Sequence, residues 1–195
     1  MIDTKLPTIA YIPGFNSTSV AFTYLRHALP EHVQLPINYA THQPLADSIH
    51  EIGKSLPKQK PIYIVAHSLG GVIACHVAAL KKHNIKGMII ISSPLGGSRA
   101  AWFMRWVMRS PVLNDITPDS VHIKKINDLL LPPTDSIIST SGSMNTSFEK
   151  NDSVVTVSSQ SHLLTSRQHF IEANHFEVLQ HPSTKSVIEN HIWGI

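Results

Sequence analysis

Ser68 stands where a short apolar run meets a helical pattern, in the segment Ile62-Tyr-Ile-Val-Ala-His-Ser-Leu-Gly-Gly-Val-Ile73. A serine on a sharp strand-to-helix turn projects its hydroxyl above the edge of a sheet, which is the geometry of a nucleophile elbow. The helix that follows directs its unsatisfied N–H groups and the positive end of its dipole at the same point. Because chemistry that passes through an oxyanion needs both features, the sequence predicts that Ser68 is a catalytic nucleophile.

A general base and an orienting acid for this serine can come from two later segments. His175 lies between a predicted strand and an amphipathic helix, and Asp152 lies in a loop after an earlier predicted strand. Because the loops that follow parallel strands share one edge of a sheet, both side chains can reach Ser68. We expect His175 to act first as general base and then as general acid, with Asp152 fixing its tautomer and stabilising the imidazolium.

Other histidines and carboxylates are weaker candidates for these two roles. His162 lies in a loop before the last predicted strand and Glu149 lies close to Asp152 in the chain, so both stay open as alternatives. His67 adjoins the nucleophile, but its side chain is expected to point away from that of Ser68. The remaining candidates fall inside predicted elements, at the opposite sheet edge or in an inserted region: His169, His181, Asp135, Asp115 and Asp128.

An oxyanion hole is predicted from two backbone N–H groups. One belongs to Leu69, the residue after the nucleophile, and the other comes from the loop after the first predicted strand. That loop reads Pro13-Gly-Phe-Asn-Ser17, in which Gly14 permits an unusual backbone conformation and Phe15 is the candidate donor. Such a loop alone is typical of an ordinary turn, so its value depends on the serine turn elsewhere in the chain.

The elements that must position these residues alternate along the chain. Short, near-continuous apolar runs and longer helical patterns predict an α/β fold, with a mostly parallel sheet of about six strands and helices on both faces. The strands are predicted at Thr8–Ile12, Val33–Ile37, Ile62–Ala66, Gly87–Ser92, Ser136–Ser141 and Gln168–Glu172. The helices are predicted at Val20–Leu29, Leu45–Leu56, Gly70–Lys82, Ala100–Arg109, Ser120–Leu130 and Phe176–Trp193.

The region from about 95 to 133 is too long for a bare connection, so it predicts a cap or lid-like insert over the carboxyl edge of the sheet. The chain of 195 residues suits one domain with a full hydrophobic core. We therefore expect residues 1–195 to form a single domain that carries this insert.

Composition excludes several classes of protein. Hydrophobic residues make up 42% and charged residues 15%, which is typical of a compact globular chain. The formal charge is only +3 and no basic run is interleaved with aromatic residues, so no nucleic-acid partner is expected. The single cysteine, Cys75, cannot form an internal disulfide and its neighbours predict a buried position. With no targeting segment and no membrane-length apolar run in the sequence, we expect a cytoplasmic protein.

Six segments along most of the chain resemble the α/β-hydrolase family, and within it the small serine lipases and esterases and inositol-deacylase-like relatives. The segment at 93–98 is similar to the Thr-Pro-His-x-Gly-Ser segment of lipases, and that at 152–160 to the acid loop Asp-Gly-Val-Val-Pro-x-x-Ser. The segment at 119–127 resembles their Pro-Gly-Ser-x-x-Leu-x-x-Leu-Asn, which follows a lid-like insert. The other segments are the loop at Gly14 and Phe15, Ala-His-Ser-Leu-Gly-Gly at 66–71, and Asn-His-Phe-Glu-Val-Leu at 174–179.

The chain departs from the family pattern at three places. Ala66 replaces the first glycine of Gly-x-Ser-x-Gly, where the turn needs only a small residue. Pro13 stands where many relatives carry histidine, but the oxyanion donor is a backbone N–H and does not depend on it. The antiparallel first strands of the family have no room before Thr8, so the sheet should be trimmed to about six strands.

The predicted helix Ala100–Arg109 has two possible uses. Trp102 and Trp106 recur at helical spacing, with Phe103 beside them and arginines between, which predicts the wall of an apolar substrate pocket. Contact with a lipid surface is an alternative. Between contact with a lipid surface and burial, the pattern favours a cap helix that buries its aromatic side chains against the rest of the insert.

The sequence and the resemblance together imply a serine hydrolase that cleaves carboxylic esters of a small molecule or a lipid, without a metal or a cofactor. The same three side chains serve an amidase, a thioesterase or an acyltransferase, so these alternatives stay open. A catalytically silent hydrolase fold that only binds is a further alternative.

Overall fold

Six parallel strands form one sheet in the computed structural model, which describes residues 6–142 and 149–194. Their order across the sheet is β2-β1-β3-β4-β5-β6, and each neighbouring pair is parallel. The strands are β1 (Thr8–Ile12), β2 (Val33–Pro36), β3 (Ile62–His67), β4 (Ile85–Ile91), β5 (Thr134–Ser139) and β6 (Arg167–Ile171). The predicted trimmed α/β fold is confirmed, and all six predicted strands lie within two residues of their observed positions.

Eight α-helices and three 3-10 helices surround the sheet in the described part of the chain. The α-helices are α1 (Thr23–Ala28), α2 (Leu45–Ser55), α3 (Leu69–Ala79), α4 (Arg99–Met108), α5 (Val112–Asp115), α6 (Val121–Lys124), α7 (Val157–Gln160) and α8 (Pro182–Trp193). The 3-10 helices span Ser19–Phe22, Ile126–Asp128 and Glu177–Gln180. Helices α4 to α6 connect β4 to β5, within the region where the sequence predicts an insert.

The sheet is covered on both faces, which explains why its central strands are nearly continuous apolar runs. Successive side chains of a strand point to opposite faces. In β1, Ala10 and Ile12 pack into a core cluster with α2 and α3, whereas Ile9 and Tyr11 pack into a second cluster with α1 and α8. Two buried layers therefore hold the sheet rigid, and the loops at its carboxyl edge start from fixed positions.

The prediction of one continuous helix over Phe176–Trp193 is wrong. Residues 176–193 form a 3-10 helix followed by α8, and the break falls at His181, which has φ −77° and ψ 132°. The ring of Pro182 excludes helical ψ at the residue before it and is itself well suited to begin a helix. The His181 side chain accepts a hydrogen bond from the Ser183 N–H and caps the new helix.

Two other predicted helices are shorter than expected, since 20–29 and 120–130 each combine one short α-helix with a 3-10 turn. No helix in residues 6–142 and 149–194 is long and apolar enough to cross a membrane. The cytoplasmic location stays a prediction.

Candidate active site

The chain places β2 on one side of β1 and then β3 on the other side, so the connections after β1 and β3 run to opposite sides of the sheet. The loops that leave these two neighbouring strands meet at the carboxyl edge of the sheet. Such a switch point is where open α/β sheets form a crevice for ligands. Ser68 directly follows β3, and Phe15 lies in the loop that follows β1. The topology therefore brings the predicted nucleophile and the predicted oxyanion loop together.

Ser68 occupies a backbone conformation that residues with a side chain rarely adopt, with φ 53° and ψ −125°. Its N–H donates a hydrogen bond to the Ile91 carbonyl at 2.9 Å, and its own carbonyl accepts one from the Gly71 N–H at 3.0 Å. These bonds and the two flanking elements hold the turn in place. A strained residue that is fixed in this way at the mouth of a crevice is typical of a functional site.

Three glycines allow the neighbouring backbones to approach this turn. A Cβ atom on Gly14 would lie 2.8 Å from the Ser68 Cβ, closer than such atoms approach one another. A Cβ on Gly70 would overlap the carbonyl of Ile12, and one on Gly71 would overlap the side chain of Ser93. The loop after β1 is thus packed directly against the serine, and Phe15 and Leu69 line the same cavity as Ser68.

His175 and Asp152 form a buried hydrogen-bonded pair. The His175 Nδ1 lies 2.7 Å from the Asp152 Oδ2, and the two residues are 3% and 0% exposed. The His175 N–H also donates to the backbone carbonyl of Asp152 at 3.0 Å, so the two loops are joined twice. Because the Nδ1–H of His175 donates to the carboxylate, the Nε2 atom of the ring is free of a proton and can accept one.

Both oxygens of Asp152 are held by further donors. Its Oδ1 accepts the N–H groups of Val154 at 2.9 Å and Val155 at 2.7 Å, and its Oδ2 accepts the Ser139 hydroxyl at 2.7 Å. The Gln160 amide lies 3.3 Å from the same Oδ2. Burial alone would raise the pKa of this carboxyl, but the hydrogen bonds and the charge of His175 outweigh burial and lower it. Asp152 is therefore an anion at neutral pH.

Sequence reasoning missed the polar residues behind this pair. Ser139 ends β5 and donates to Asp152, and its own backbone N–H donates to the Gln160 Oε1 at 2.9 Å. Gln160 belongs to the segment at 152–160 that resembles an acid loop, which is the one signal that could have found it. No spacing rule connects it to Ser139, because the contact depends on how α7 packs against β5.

A cavity of about 210 Å³ joins the predicted site residues. Ser68, His175, Phe15 and Leu69 all line it. Its remaining wall is mostly apolar and comes largely from the segment after β4 and from the loop that carries the aspartate: Pro94, Ser98, Ala100, Ala101, Met104, Leu113, Ile116, Val154 and Val155. The structure thus brings Ser68 and His175 to one largely apolar pocket, with Asp152 buried behind the histidine.

The loop that carries Phe15 is supported from a segment that sequence reasoning did not single out. The N–H of Asn16, which has φ 53°, donates to the hydroxyl of the buried Thr41 at 3.1 Å. The Phe15 ring contacts the ring of His42 with 4.6 Å between centroids. These two contacts hold the loop around Phe15 against the segment that carries Thr41 and His42.

The three aromatic residues predicted to line the pocket lie elsewhere, which corrects the prediction. Trp102, Phe103 and Trp106 are 48%, 68% and 74% exposed, on the outer side of α4. The prediction assumed that the largest apolar side chains would face the site. The helix instead turns its inner side to the cavity, where Ala101 and Met104 form the wall.

The alternative acid and base lie outside this cavity. His162 packs against Gly96, and its carbonyl accepts a hydrogen bond from Asn127. The carboxylate of Glu149 accepts the Ser158 N–H at 3.2 Å. Neither side chain is among the described residues that line the pocket. Of the competing carboxylates, Asp135 lies near the amino end of β5, bound to Arg167, at the edge of the sheet opposite the site.

His67 is buried and lines the same cavity, with its Nε2 engaged by the backbone of the histidine loop. Its Nε2 lies 2.8 Å from the carbonyl oxygen of His175, and the two rings are 4.7 Å apart. A carbonyl can only accept, so His67 Nε2 carries the proton. Burial, reinforced by the neighbouring His175, lowers the pKa of His67 to about 3. A neutral imidazole therefore holds the histidine loop in place.

The low pKa of His67 predicts that acid destabilises the fold. In the unfolded chain the group binds a proton below about pH 6.5, so its contribution to stability is complete above that pH and is lost as the pH falls toward about 3. We expect His67→Phe to show a smaller loss of unfolding free energy between neutral pH and about pH 5 than the wild type, measured by urea denaturation. The exposed His50→Phe is the control. An equal loss of unfolding free energy in the wild type and in His67→Phe would show that His67 does not cause the acid sensitivity.

No group of three or more His, Cys, Asp or Glu side chains within 6–142 and 149–194 is placed to hold a metal ion. Burial raises the pKa of the Cys75 thiol to about 12, so this residue behaves as a small apolar side chain of the core.

Comparison with known proteins extends the likeness to the whole fold. Residues 13–129 match a family model described as alpha/beta hydrolase fold. Among solved structures, the chain is similar to the mature lipase BlEst2 of Bacillus licheniformis, with a TM-score of 0.72 and 16% identity, over 95% of this chain and 91% of that chain. It is also similar to a lipase-esterase related protein of Clostridium acetobutylicum, with a TM-score of 0.66 and 14% identity, over 99% and 96% of the two chains.

The thioesterase domain from the curacin biosynthetic pathway has the same fold, with a TM-score of 0.68 and 13% identity, over 98% of this chain and 92% of that domain. Comparison with curated proteins gave no match. At these identities the likeness to solved structures establishes the fold alone.

Proposed function

Because this chain belongs to the α/β-hydrolase family, we propose that it is a serine hydrolase that cleaves carboxylic esters through an acyl-enzyme on Ser68. One observation carries the proposal. Ser68 lies on a strained strand-to-helix turn and lines the same apolar cavity as His175, whose Nδ1 is 2.7 Å from the buried Asp152. The chain order Ser, Asp, His agrees with this type of turn.

The reaction begins when His175 Nε2 takes the proton from the Ser68 hydroxyl as the oxygen attacks the ester carbonyl. The imidazolium that forms lies against the carboxylate of Asp152, which is ionised at neutral pH. The same imidazolium then gives its proton to the leaving alcohol, and a water molecule releases the acyl group by the reverse sequence of transfers. General acid–base catalysis of this kind typically contributes about 10²- to 10⁴-fold.

The oxyanion of the tetrahedral intermediate is assigned to the N–H groups of Phe15 and Leu69. Leu69 is the first residue of α3, so its N–H has no acceptor within the helix. Phe15 is held beside it by the close packing of Gly14 on Ser68. One donor of this kind is worth about 10²- to 10³-fold in kcat.

Gly14→Ala tests the oxyanion loop. The added methyl group would meet the Ser68 Cβ at 2.8 Å, and the loop with the Phe15 N–H must move away. We expect kcat for ester hydrolysis to fall by about 10²-fold, with a smaller change in KM. Gly53→Ala on helix α2 is the matched control, because the added Cβ would only approach the His83 Nε2 at an ordinary contact distance of 3.9 Å. Equal kinetics in the two variants would remove the loop from the mechanism.

The size of the cavity favours a small acyl group. Its volume of about 210 Å³ is below the range of about 300–1,000 Å³ that is typical of ligand pockets. Among p-nitrophenyl esters from acetate to palmitate, we therefore expect the highest kcat/KM for the short acyl chains. A maximum at palmitate would contradict the proposed binding mode of the acyl group.

The same measurements separate the alternatives. Labelling of Ser68 by a fluorophosphonate without ester turnover would indicate an amidase, a thioesterase or an acyltransferase, and matched amide and thioester substrates would distinguish them. An absence of both labelling and turnover would indicate a hydrolase fold that only binds. The segment 95–133 is proposed to cap the site, since residues 98 to 116 supply much of the cavity wall.

A further inference from the structure

Helix α4 exposes its apolar side to solvent. Its outer surface carries Trp102, Phe103, Trp106 and Val107, all large apolar side chains, and Val107 is 84% exposed. On a helix, positions three and four apart share a face, so these four residues form one continuous strip. Single exposed apolar residues are ordinary, but a continuous strip of this kind marks an interaction surface. We call these four residues the α4 face.

Arginines border the α4 face, and no carboxylate lies in residues 99–109. Arg99 begins the helix and Arg109 follows its end. The Arg105 guanidinium lies 5.2 Å from the ring centroid of Trp102 and 5.4 Å from that of Trp106. Arginine is weakly hydrated and stacks on indole, so this pair of contacts holds a cation beside the apolar strip.

The α4 face continues into the rim of the active-site cavity. Met104, on the same helix, lines the cavity and is 40% exposed. On the opposite rim, Val154 and Phe176 also line the cavity and are exposed. An object that covers the α4 face therefore also meets the opening through which an ester reaches Ser68.

We propose that the α4 face docks on the surface of an anionic phospholipid membrane, a proposal that rests on the proposed ester hydrolysis for its purpose. Tryptophan at the headgroup level, apolar side chains below it and arginines at the phosphates are the composition of an interfacial helix. A protein partner seated on the α4 face would also cover the cavity rim and obstruct the substrate, whereas a fluid lipid surface leaves the opening accessible to small apolar esters that dissolve in it. The aromatic side chains of α4 are exposed and not buried against the rest of the insert, so the expectation of a buried cap helix does not apply to this face.

Vesicle binding tests this surface without any turnover. The inactive Ser68→Ala chain is mixed with vesicles of phosphatidylcholine alone or of phosphatidylcholine with phosphatidylglycerol, and the bound fraction is measured by flotation. We expect binding to the anionic vesicles and weakening at high salt. Trp106→Ser with Val107→Ser should lower the vesicle affinity about tenfold or more. Each of Arg99→Gln and Arg109→Gln should lower it about fivefold on anionic vesicles.

Leu80→Ser with Leu130→Ser is the matched control, because both leucines are exposed but lie outside the α4 face and the active-site cavity. In the Ser68→Ala chain, the Leu80/Leu130 control should bind vesicles as strongly as the chain without these two substitutions. In the chain that keeps Ser68, the Trp106/Val107 variant should retain the wild-type kcat/KM on p-nitrophenyl acetate. Absence of vesicle binding, or equal binding in both double variants, would overturn the docking proposal. So would a dimer in solution that only the Trp106/Val107 variant abolishes. Docking without ester turnover would instead overturn the proposed function alone.

Discussion

Ser68→Ala is expected to lose ester hydrolysis by about 10⁴-fold or more while it keeps the native fold. The substitution removes the hydroxyl oxygen on which the proposed acyl-enzyme would form, but alanine can occupy the same backbone position at φ 53° with the same strain. The backbone bonds of residue 68 to Ile91 and Gly71 are also retained. We expect the urea midpoint to stay close to that of the wild type. Hydrolysis of p-nitrophenyl acetate and urea denaturation of the two proteins measure both effects.

A control serine separates nucleophile loss from a general effect. Ser186→Ala on α8 removes an exposed hydroxyl that donates to the Pro182 carbonyl, and should leave activity and fluorophosphonate labelling unchanged. Ser68→Ala should abolish the labelling. Residual turnover above about one-hundredth of the wild type, from a preparation free of other esterases, would show that Ser68 is not the nucleophile.

The predictions that the structure bears out depend on local patterns. The run Ile62–Ala66 followed by Ser68 and two glycines identifies both a central strand and the turn, because only glycine fits where the start of α3 meets the end of β1 and the Ser93 side chain. The rule that loops after parallel strands share an edge then predicts the meeting of Asp152 and His175, which lie 23 residues apart in the chain.

The predictions that failed depend on packing that no local pattern records. The sequence predicts that the apolar strip of α4 faces the pocket, since burial usually decides which side of a helix is apolar. Here small Ala101 is the buried residue and the indoles face outward. The Ser139 and Gln160 contacts with Asp152 likewise require three segments to converge, so their sequence positions alone could not reveal them.

Asp152→Asn is expected to lower kcat by about 10⁴-fold with little change in KM. The amide that replaces Oδ2 would present an N–H to His175 Nδ1, so the ring would place its proton on Nε2 and could no longer accept one from Ser68. The new N–H would also face the Gln160 amide, which lies 3.3 Å from that atom in the wild type. Two opposed donors in a buried site should cost about 1–3 kcal/mol of unfolding free energy at neutral pH.

The loss of unfolding free energy in Asp152→Asn should depend on pH. The pKa of Asp152 is lowered in the folded chain, so its contribution to stability is present above the unfolded carboxyl pKa of about 3.9 and is lost as the pH falls through the folded value. Asp152→Asn should therefore be destabilised near neutrality and less so in acid, when urea curves are compared with the wild type. Glu149→Gln, the alternative acid, should keep full activity. If Glu149→Gln lost activity and Asp152→Asn kept it, the orienting acid would be Glu149.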